Sequence, residues 1–220
     1  MNITIILTST VNVNNNKVYL FQRDSESRKQ LYIKSVLQWL TKTNFKIILV
    51  ENSGYTFDEL NNEKNVYNDR FEVITFTENS LESAKYLKNN NSKGDSELFA
   101  INYAFNNSKL IESSDFIIKI TGRYFIPDLQ DYLLSNDLTK YDSLTQNCKD
   151  RCEMVGSSYK NFNEIFNPII TDNNYWGHIE SIWKKRTSKY DNVLTCKQFS
   201  IEKTQQGGKN IMFDLSLIHI

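Results

Sequence analysis

The sequence predicts an α/β protein with a mainly parallel sheet flanked by helices and a small antiparallel part toward the C-terminus. Short apolar runs rich in β-branched residues alternate with amphipathic segments through residues 1–126, a pattern typical of parallel strands joined by helices. After Pro127 the alternation is less regular. We therefore expect a single domain over residues 1–220, with residues 1–126 and 127–214 as its two parts.

Four buried strands are predicted in the first part, because each run is apolar and ends in polar side chains. They span residues 2–10, 45–54, 69–79 and 113–128. Helices are expected between them at residues 24–40, 56–64 and 95–113, the last with Asp95 or Ser96 near its start. The Asn-rich stretch before Asp95 predicts a further helix and then a loop.

The second part predicts two helices, a hairpin and a last strand. Residues 128–138 and 173–186 have helical spacing, and the latter helix should bury Ile179, Ile182 and Trp183. Residues 141–166 alternate loosely, as antiparallel strands do, and a strand is expected near residues 193–203. The final DLSLIHI resembles translated adapter sequence, so we assign residues 215–220 no function.

Composition excludes several classes of function. The 26 basic and 26 acidic residues cancel, so no global field attracts nucleic acid and any anion site must be local. No apolar run approaches the roughly 20 residues of a membrane span, and the N-terminus lacks the features of a signal peptide. The odd, sparse set of 3 cysteines favours a reducing compartment, so a cytoplasmic location is expected.

Polar side chains follow all four predicted strands, and the ends of parallel strands meet at one edge of a sheet. They are Thr8 and Ser9, Glu51 and Asn52, Glu78 and Asn79, and Thr121, Gly122, Arg123 and Tyr124. A carboxylate such as Glu51 could bind a ribose hydroxyl or a base N–H. The alternative is that these residues only cap the following helices.

The segment SKGDSE (92–97) precedes a predicted helix. Lys93 and Gly94 would there combine a mobile charge with unhindered backbone at a helix N-terminus, which suits a phosphate group. Neither a P-loop nor a dinucleotide fingerprint is present. An ordinary capped loop is the alternative.

The order of these features, ending in DFIIKITGRY, resembles the nucleotide-binding half of GT-A type glycosyltransferases over residues 3 to about 126. It is most similar to the KITGRY sort found in bacterial polysaccharide clusters and large DNA viruses. The resemblance implies a Rossmann-like GT-A fold and transfer of a hexose or deoxyhexose. The expected donor is a nucleoside-diphosphate sugar, with UDP as the first choice, and the acceptor is a saccharide or glycoconjugate hydroxyl.

The resemblance does not decide which groups balance the negative charge of the diphosphate. Many members of that fold hold a divalent metal with an acidic pair, but TGR stands at that place here. Lys119 and Arg123, with Lys93 across the crevice and Arg28 after the first strand, could bind the diphosphate without metal. Alternatively, Asp95 and Glu97 could bind Mg²⁺ or Mn²⁺.

Acceptor and base are expected in the less regular second part. Glu180 is the first candidate for a general base, His178 the second and Asp172 the third. Tyr124 and Trp176 could stack on a sugar ring. Inverting and retaining transfer both remain open.

Two other functions also remain open. One is a nucleotidyltransferase that makes a sugar nucleotide, although a Gly- and Arg-rich loop is missing after the first strand. The other is a non-catalytic nucleotide- or glycan-binding module, which would gain support if Glu180 and Asp172 lay far from the crevice.

Overall fold

The computed structural model describes residues 1–18, 20, 22–146, 154–171, 178–197 and 199–201, and the backbone of two short strands at 204–205 and 212–213. It confirms the α/β class with a mainly parallel sheet. Four parallel strands form one half of the sheet: β1 (Ile3–Ser9), β2 (Lys46–Glu51), β3 (Phe71–Thr75) and β4 (Phe116–Thr121). The predicted strands contain all four.

The antiparallel part continues the same sheet. It consists of β5 (Ser143–Gln146), β6 (Met154–Ser158) and β7 (Val193–Cys196). Strand β6 runs antiparallel to both β4 and β5, and β7 pairs parallel with β5, so the strand order is β3-β2-β1-β4-β6-β5-β7. Two further strands, β8 (Thr204–Gln205) and β9 (Met212–Phe213), form a separate antiparallel pair.

Helices cover both faces of the sheet. They are α1 (Ser25–Lys42), α2 (Asn61–Val66), α3 (Lys93–Asn107), α4 (Leu129–Leu134), α5 (Phe162–Ile165) and α6 (Ile179–Thr187). Because side chains alternate along a strand, Ile5 and Leu7 of β1 pack on the side of α1, whereas Ile6 packs on the side of α3 and α6. The strands are therefore buried on both faces, as their continuous apolar runs predict.

Two local predictions need correction. The helix expected between residues 80 and 91 is a pair of short 3₁₀ turns, at Glu78–Ser80 and Glu82–Leu87. Helix α3 begins before Asp95, because the Ser92 side chain caps it by accepting a hydrogen bond from the Asp95 amide at 3.2 Å. This earlier start places Lys93 and Gly94 inside the first helical turn.

No helix within the described ranges is both long enough and apolar enough to span a membrane.

Candidate functional site

A cavity of about 1010 Å³ lies outside the carboxyl ends of β1, β2 and β4. The chain proceeds outward from β1 to β2 and β3 and then returns to β4 on the other side of β1. This reversal of strand order is where ligands bind in open α/β sheets. The cavity therefore occupies the position that the sheet topology predicts for a ligand.

Most residues that the sequence singles out line this cavity. They are Thr8, Ser9, Arg28, Asn52, Glu78, Asn79, Lys93, Gly94, Glu97, Thr121, Arg123, Tyr124, His178 and Glu180. Four others do not line it, namely Glu51, Asp95, Lys119 and Gly122. Asp172 and Trp176 lie outside the described residues.

Arg123 follows β4 and faces the cavity. Its Nε atom is buried and has no hydrogen-bond partner, and the part of the chain that the structure describes offers the guanidinium no carboxylate within ion-pair distance. The guanidinium carbon lies 5.5 Å from the centre of the Tyr124 ring. A buried donor without a partner is costly, so this group has capacity for an anionic ligand.

The first turns of α3 and α6 meet beside Arg123. A Cβ atom at Gly94 would lie 2.7 Å from Cβ of Ile179, so only glycine allows the two helices to approach this closely. Both turns line the cavity, and the partial positive charge of helix N-termini therefore faces it from one side. Together with Arg123 they make this part of the cavity suited to anions.

Lys93 and Glu180 add one charge of each sign to the same wall. Burial lowers the pKa of the Lys93 amine, whereas the carboxylates of Glu180 and Glu97 raise it and the Arg123 cation lowers it further.

His178 caps α6 through its carbonyl oxygen, which accepts a hydrogen bond from the Ser181 hydroxyl, and the residue is exposed at the rim of the cavity.

Lys119 does not line the cavity, contrary to the sequence prediction. It is 1% exposed and forms an ion pair with Glu97, with 2.9 Å between Nζ and Oε1. Nζ also lies 4.5 Å from the centre of the Trp183 ring. Because β4 is a central strand with helices on both faces, the lysine lies beneath the cavity floor, where Glu97 balances its charge.

The two acids considered as metal ligands are hydrogen-bonded to the protein. Asp95 accepts from the Asn90 amide at 2.6 Å and from the Ser92 hydroxyl at 2.8 Å, completing the cap of α3. Glu97 accepts from Thr8 at 2.7 Å in addition to its ion pair with Lys119. Among the described residues, no group of three or more His, Cys, Asp or Glu side chains could hold a metal ion.

Glu51 supports the site from behind. It is fully buried, and its carboxylate accepts hydrogen bonds from the amides of Val11, Ser53 and Tyr55 at 2.8–2.9 Å and from the Ser53 hydroxyl. Burial raises the pKa of this carboxyl, and the hydrogen bonds act in the opposite direction. The side chain thus fixes the turns after β1 and β2 and does not face the cavity.

Arg28 also has a structural role that the sequence does not indicate. Its guanidinium donates to the carbonyl oxygens of Thr10 at 2.6 Å and Gln22 at 3.1 Å, and to the Tyr32 hydroxyl at 2.8 Å. It therefore ties together the two ends of the segment that follows β1. Although it lines the cavity, these three bonds occupy much of its donor capacity.

An ion pair with Glu78 holds Lys17, in the middle of that segment, and nothing in the sequence predicts a role for Lys17. Both side chains are less than a tenth exposed, and Nζ of Lys17 lies 3.5 Å from Oε1 of Glu78. Lys17 also donates to the carbonyl oxygens of Asn90 and Ser92, and Glu78 accepts from Asn52 and Ser96. A lone lysine within an Asn-rich stretch gives no sequence signal of such a partner.

Comparison with known proteins gives a likeness in structure only. No protein-family model and no curated protein match the sequence. The WbbM bifunctional glycosyltransferase in its apo form has a TM-score of 0.52 at 11% identity, covering 89% of this chain and 38% of that one. GlyE of Streptococcus pneumoniae TIGR4, a glycosyltransferase, has a TM-score of 0.50 at 10% identity, covering 89% and 45%.

A nucleotidyltransferase is similar to the same degree. The structure described as a putative glucose-1-phosphate thymidylyltransferase of Bacillus anthracis, in complex with a sucrose, has a TM-score of 0.52 at 12% identity, covering 90% of this chain and 86% of that one. The chain thus spans less than half of the two glycosyltransferases but most of this protein. At these identities the likeness establishes a shared Rossmann-like α/β fold.

Proposed function

We propose that this protein is a glycosyltransferase that binds a nucleoside-diphosphate sugar in the cavity and passes the sugar to a hydroxyl of a saccharide or glycoconjugate. The observation that carries the proposal is Arg123, whose buried Nε has no partner, on the cavity wall with the first turns of α3 and α6. The resemblance of residues 3 to about 126 to GT-A glycosyltransferases, and the glycosyltransferases among the solved structures of similar fold, support it. UDP is the first choice of nucleotide.

In this proposal the diphosphate lies against Arg123 and the first turn of α3. A guanidinium can donate two parallel hydrogen bonds to phosphate oxygens, and fixed cations stabilise the charge that grows on the departing nucleoside diphosphate. Lys93, on the same wall, contributes a second cation. Thr8, Ser9, Asn52 and Thr121 supply polar groups from the strand ends.

We further propose that this charge stabilisation does not depend on a divalent metal. The acids nearest the strand ends already accept hydrogen bonds or ion pairs from the protein, as described above for Glu51, Asp95 and Glu97. Glu78 is held in the same way by Lys17, Asn52 and Ser96. A metal would have to displace these donors at Glu51, Asp95 and Glu78, and at Glu97 the neighbouring Lys119 ammonium opposes a second cation.

Glu180 is the proposed general base, because it lines the cavity from the first turn of α6. A carboxylate there can take the proton of the acceptor hydroxyl as the sugar is transferred, which gives inversion. His178, at the rim, is the second candidate, and Asp172 stays a sequence prediction. Tyr124 also lines the cavity but is only 4% exposed, so Tyr124 and Trp176 both remain predictions for a platform that stacks on a sugar ring.

A nucleotidyltransferase is the second candidate, since the Bacillus anthracis protein named above is similar in fold over most of its length. Residues 10–22, which follow β1, contain no glycine, so a glycine-rich phosphate loop is missing there. Release of pyrophosphate from a nucleoside triphosphate and a sugar phosphate would support this candidate. Release of nucleoside diphosphate from a sugar nucleotide would support the glycosyltransferase.

The experiment that tests the proposal is calorimetric titration with UDP, GDP and CDP, each in Mn²⁺ and in EDTA. Selective binding that survives EDTA is expected, because the cavity supplies fixed cations. Binding that is lost in EDTA would instead support metal binding by Asp95 and Glu97. If no nucleotide binds under either condition, the proposal is wrong.

A further inference from the structure

Glu97 has two carboxylate oxygens in very different surroundings. Its Oε1 accepts from the Thr8 hydroxyl at 2.7 Å and from the Lys119 ammonium at 2.9 Å. The described residues give Oε2 no hydrogen-bond partner, and the side chain is 23% exposed where it lines the cavity. One oxygen is thus anchored, which leaves the other available to a ligand.

Stability alone explains the buried ion pair between Lys119 and Glu97 poorly. Lys119 is 1% exposed, in a central strand between Ile118 and Ile120. A buried ion pair often contributes no more to stability than apolar side chains of the same size would, because both charges lose their hydration. An arrangement that fixes a carboxylate at the cavity floor therefore indicates a role in binding.

The charges around Glu97 indicate what it binds. A carboxylate repels phosphate, and the Lys119 ammonium on Oε1 opposes a second cation such as Mn²⁺. Glu97 lies one helical turn after Lys93 in α3, and both residues line the cavity, so Glu97 lies beside the anion-binding wall. The group that fits an ionised oxygen acceptor next to a bound diphosphate is a neutral hydroxyl donor.

We propose that Oε2 of Glu97 accepts a hydrogen bond from a hydroxyl of the transferred sugar, with Lys119 and Thr8 as the residues that position it. This inference rests on the proposed function and names a determinant of donor specificity in the same cavity.

The test compares Glu97→Gln with the wild-type protein in calorimetric titrations of UDP and of UDP-glucose. Glutamine keeps the size of the side chain but removes the charge. The expected result is that UDP affinity changes little, whereas UDP-glucose affinity falls about tenfold, as for loss of a hydrogen bond to a charged group. Glu82→Gln, in an exposed acid paired with Lys85, is the matched control and should change neither affinity.

Because Glu97→Gln leaves Lys119 buried without a counter-charge, a second variant is needed if the first does not fold. The double variant Glu97→Gln, Lys119→Met removes both charges at similar volume. It should bind UDP with nearly wild-type affinity and show the same loss for UDP-glucose.

Deoxy analogues of UDP-glucose separate hydrogen bonding from a general effect on the fold. Removal of one particular hydroxyl should cost the wild-type protein about tenfold in affinity and cost Glu97→Gln little, since the two changes remove the same contact. Equal losses in both proteins for every analogue, or equal loss of UDP and UDP-glucose in the variant, would overturn the inference. Failure of the wild-type protein to bind any nucleotide would instead overturn the proposed function, and the inference with it.

Discussion

The amide nitrogen of Gly122 donates to the carbonyl oxygen of Thr8 at 2.9 Å, and a Cβ atom at position 122 would clash with that same oxygen. The ends of β1 and β4 approach each other this closely directly before Arg123. The glycine of the TGR sequence is thus required because the backbones of β1 and β4 are too close for a side chain. This close contact positions the next residue, Arg123, at the cavity wall.

Gly122→Ala should lower both stability and nucleotide affinity. The added methyl group meets backbone, which cannot rotate away, and overpacking of this kind costs about 1–3 kcal/mol of unfolding free energy. Chemical denaturation and calorimetry would measure the two effects. Ser80→Ala, at an exposed position, is the control, and a fully stable Gly122→Ala protein would contradict the account of the β1–β4 contact.

Arg123→Ala should weaken binding of the preferred nucleotide by about tenfold or more, because a charge-assisted hydrogen bond is lost. Unfolding free energy should change little, since no ion pair of Arg123 is present in the described parts of the chain. Arg123→Lys should recover part of the affinity through its charge but not the paired geometry. Lys140→Ala, at an exposed ion pair with Asp137, serves as the control; unaltered nucleotide affinity in Arg123→Ala would remove this residue from the proposed site.

Glu180→Gln should lower turnover about 10²–10⁴-fold while donor affinity stays near that of the wild-type protein, as expected for loss of a general base. Release of UDP from a sugar nucleotide in the presence of acceptor is the measurement. Glu112→Gln, an exposed acid remote from the cavity lining, should be fully active. If Glu180→Gln keeps its turnover, His178→Ala becomes the next variant to test.

Lys17→Met should destabilise the segment after β1. It leaves Glu78 buried without its cation, and breaking a buried pair costs about 3–5 kcal/mol. Lys85→Met breaks an exposed pair with Glu82 and should cost no more than about 1 kcal/mol. Chemical denaturation measures the two losses of unfolding free energy. Hydrogen exchange at residues 11–18 should become faster only in Lys17→Met. Equal protection of these residues in both variants would contradict a stabilising role for the Lys17–Glu78 ion pair.

Much of the fold follows from local pattern. The apolar run of β1 and the cap residue Asp24, which accepts from the Ser27 amide at 2.7 Å, are where the sequence predicts a strand and a helix. The inward residues of α6 are also confirmed, since Ile179, Ile182 and Trp183 are buried. The sequence predicts the start of α3 too late, because Asp95 and Ser92 are equally good cap residues by residue type. Only the hydrogen bonds between them show that Ser92 is the cap.

The site was predicted less completely, and the reason is visible in its charged residues. Arg123, Lys93 and Glu180 reach the cavity as the strand ends and helix starts predict. Charge alone predicts that Lys119 and Arg28 bind the diphosphate, but the structure gives Lys119 a carboxylate partner and Arg28 two carbonyl partners. The donors and acceptors that occupy a side chain come from distant parts of the chain.

The sequence by itself determined the order of strands and helices and the edge of the sheet at which polar groups gather, because both depend on periodicities of a few residues. The tertiary structure alone decided which charges are balanced and which remain for a ligand. Glu97 meets Thr8 and Lys119 only because β1 and β4 are neighbours and α3 packs across them. Such pairing depends on strand register and helix packing, which no local pattern specifies.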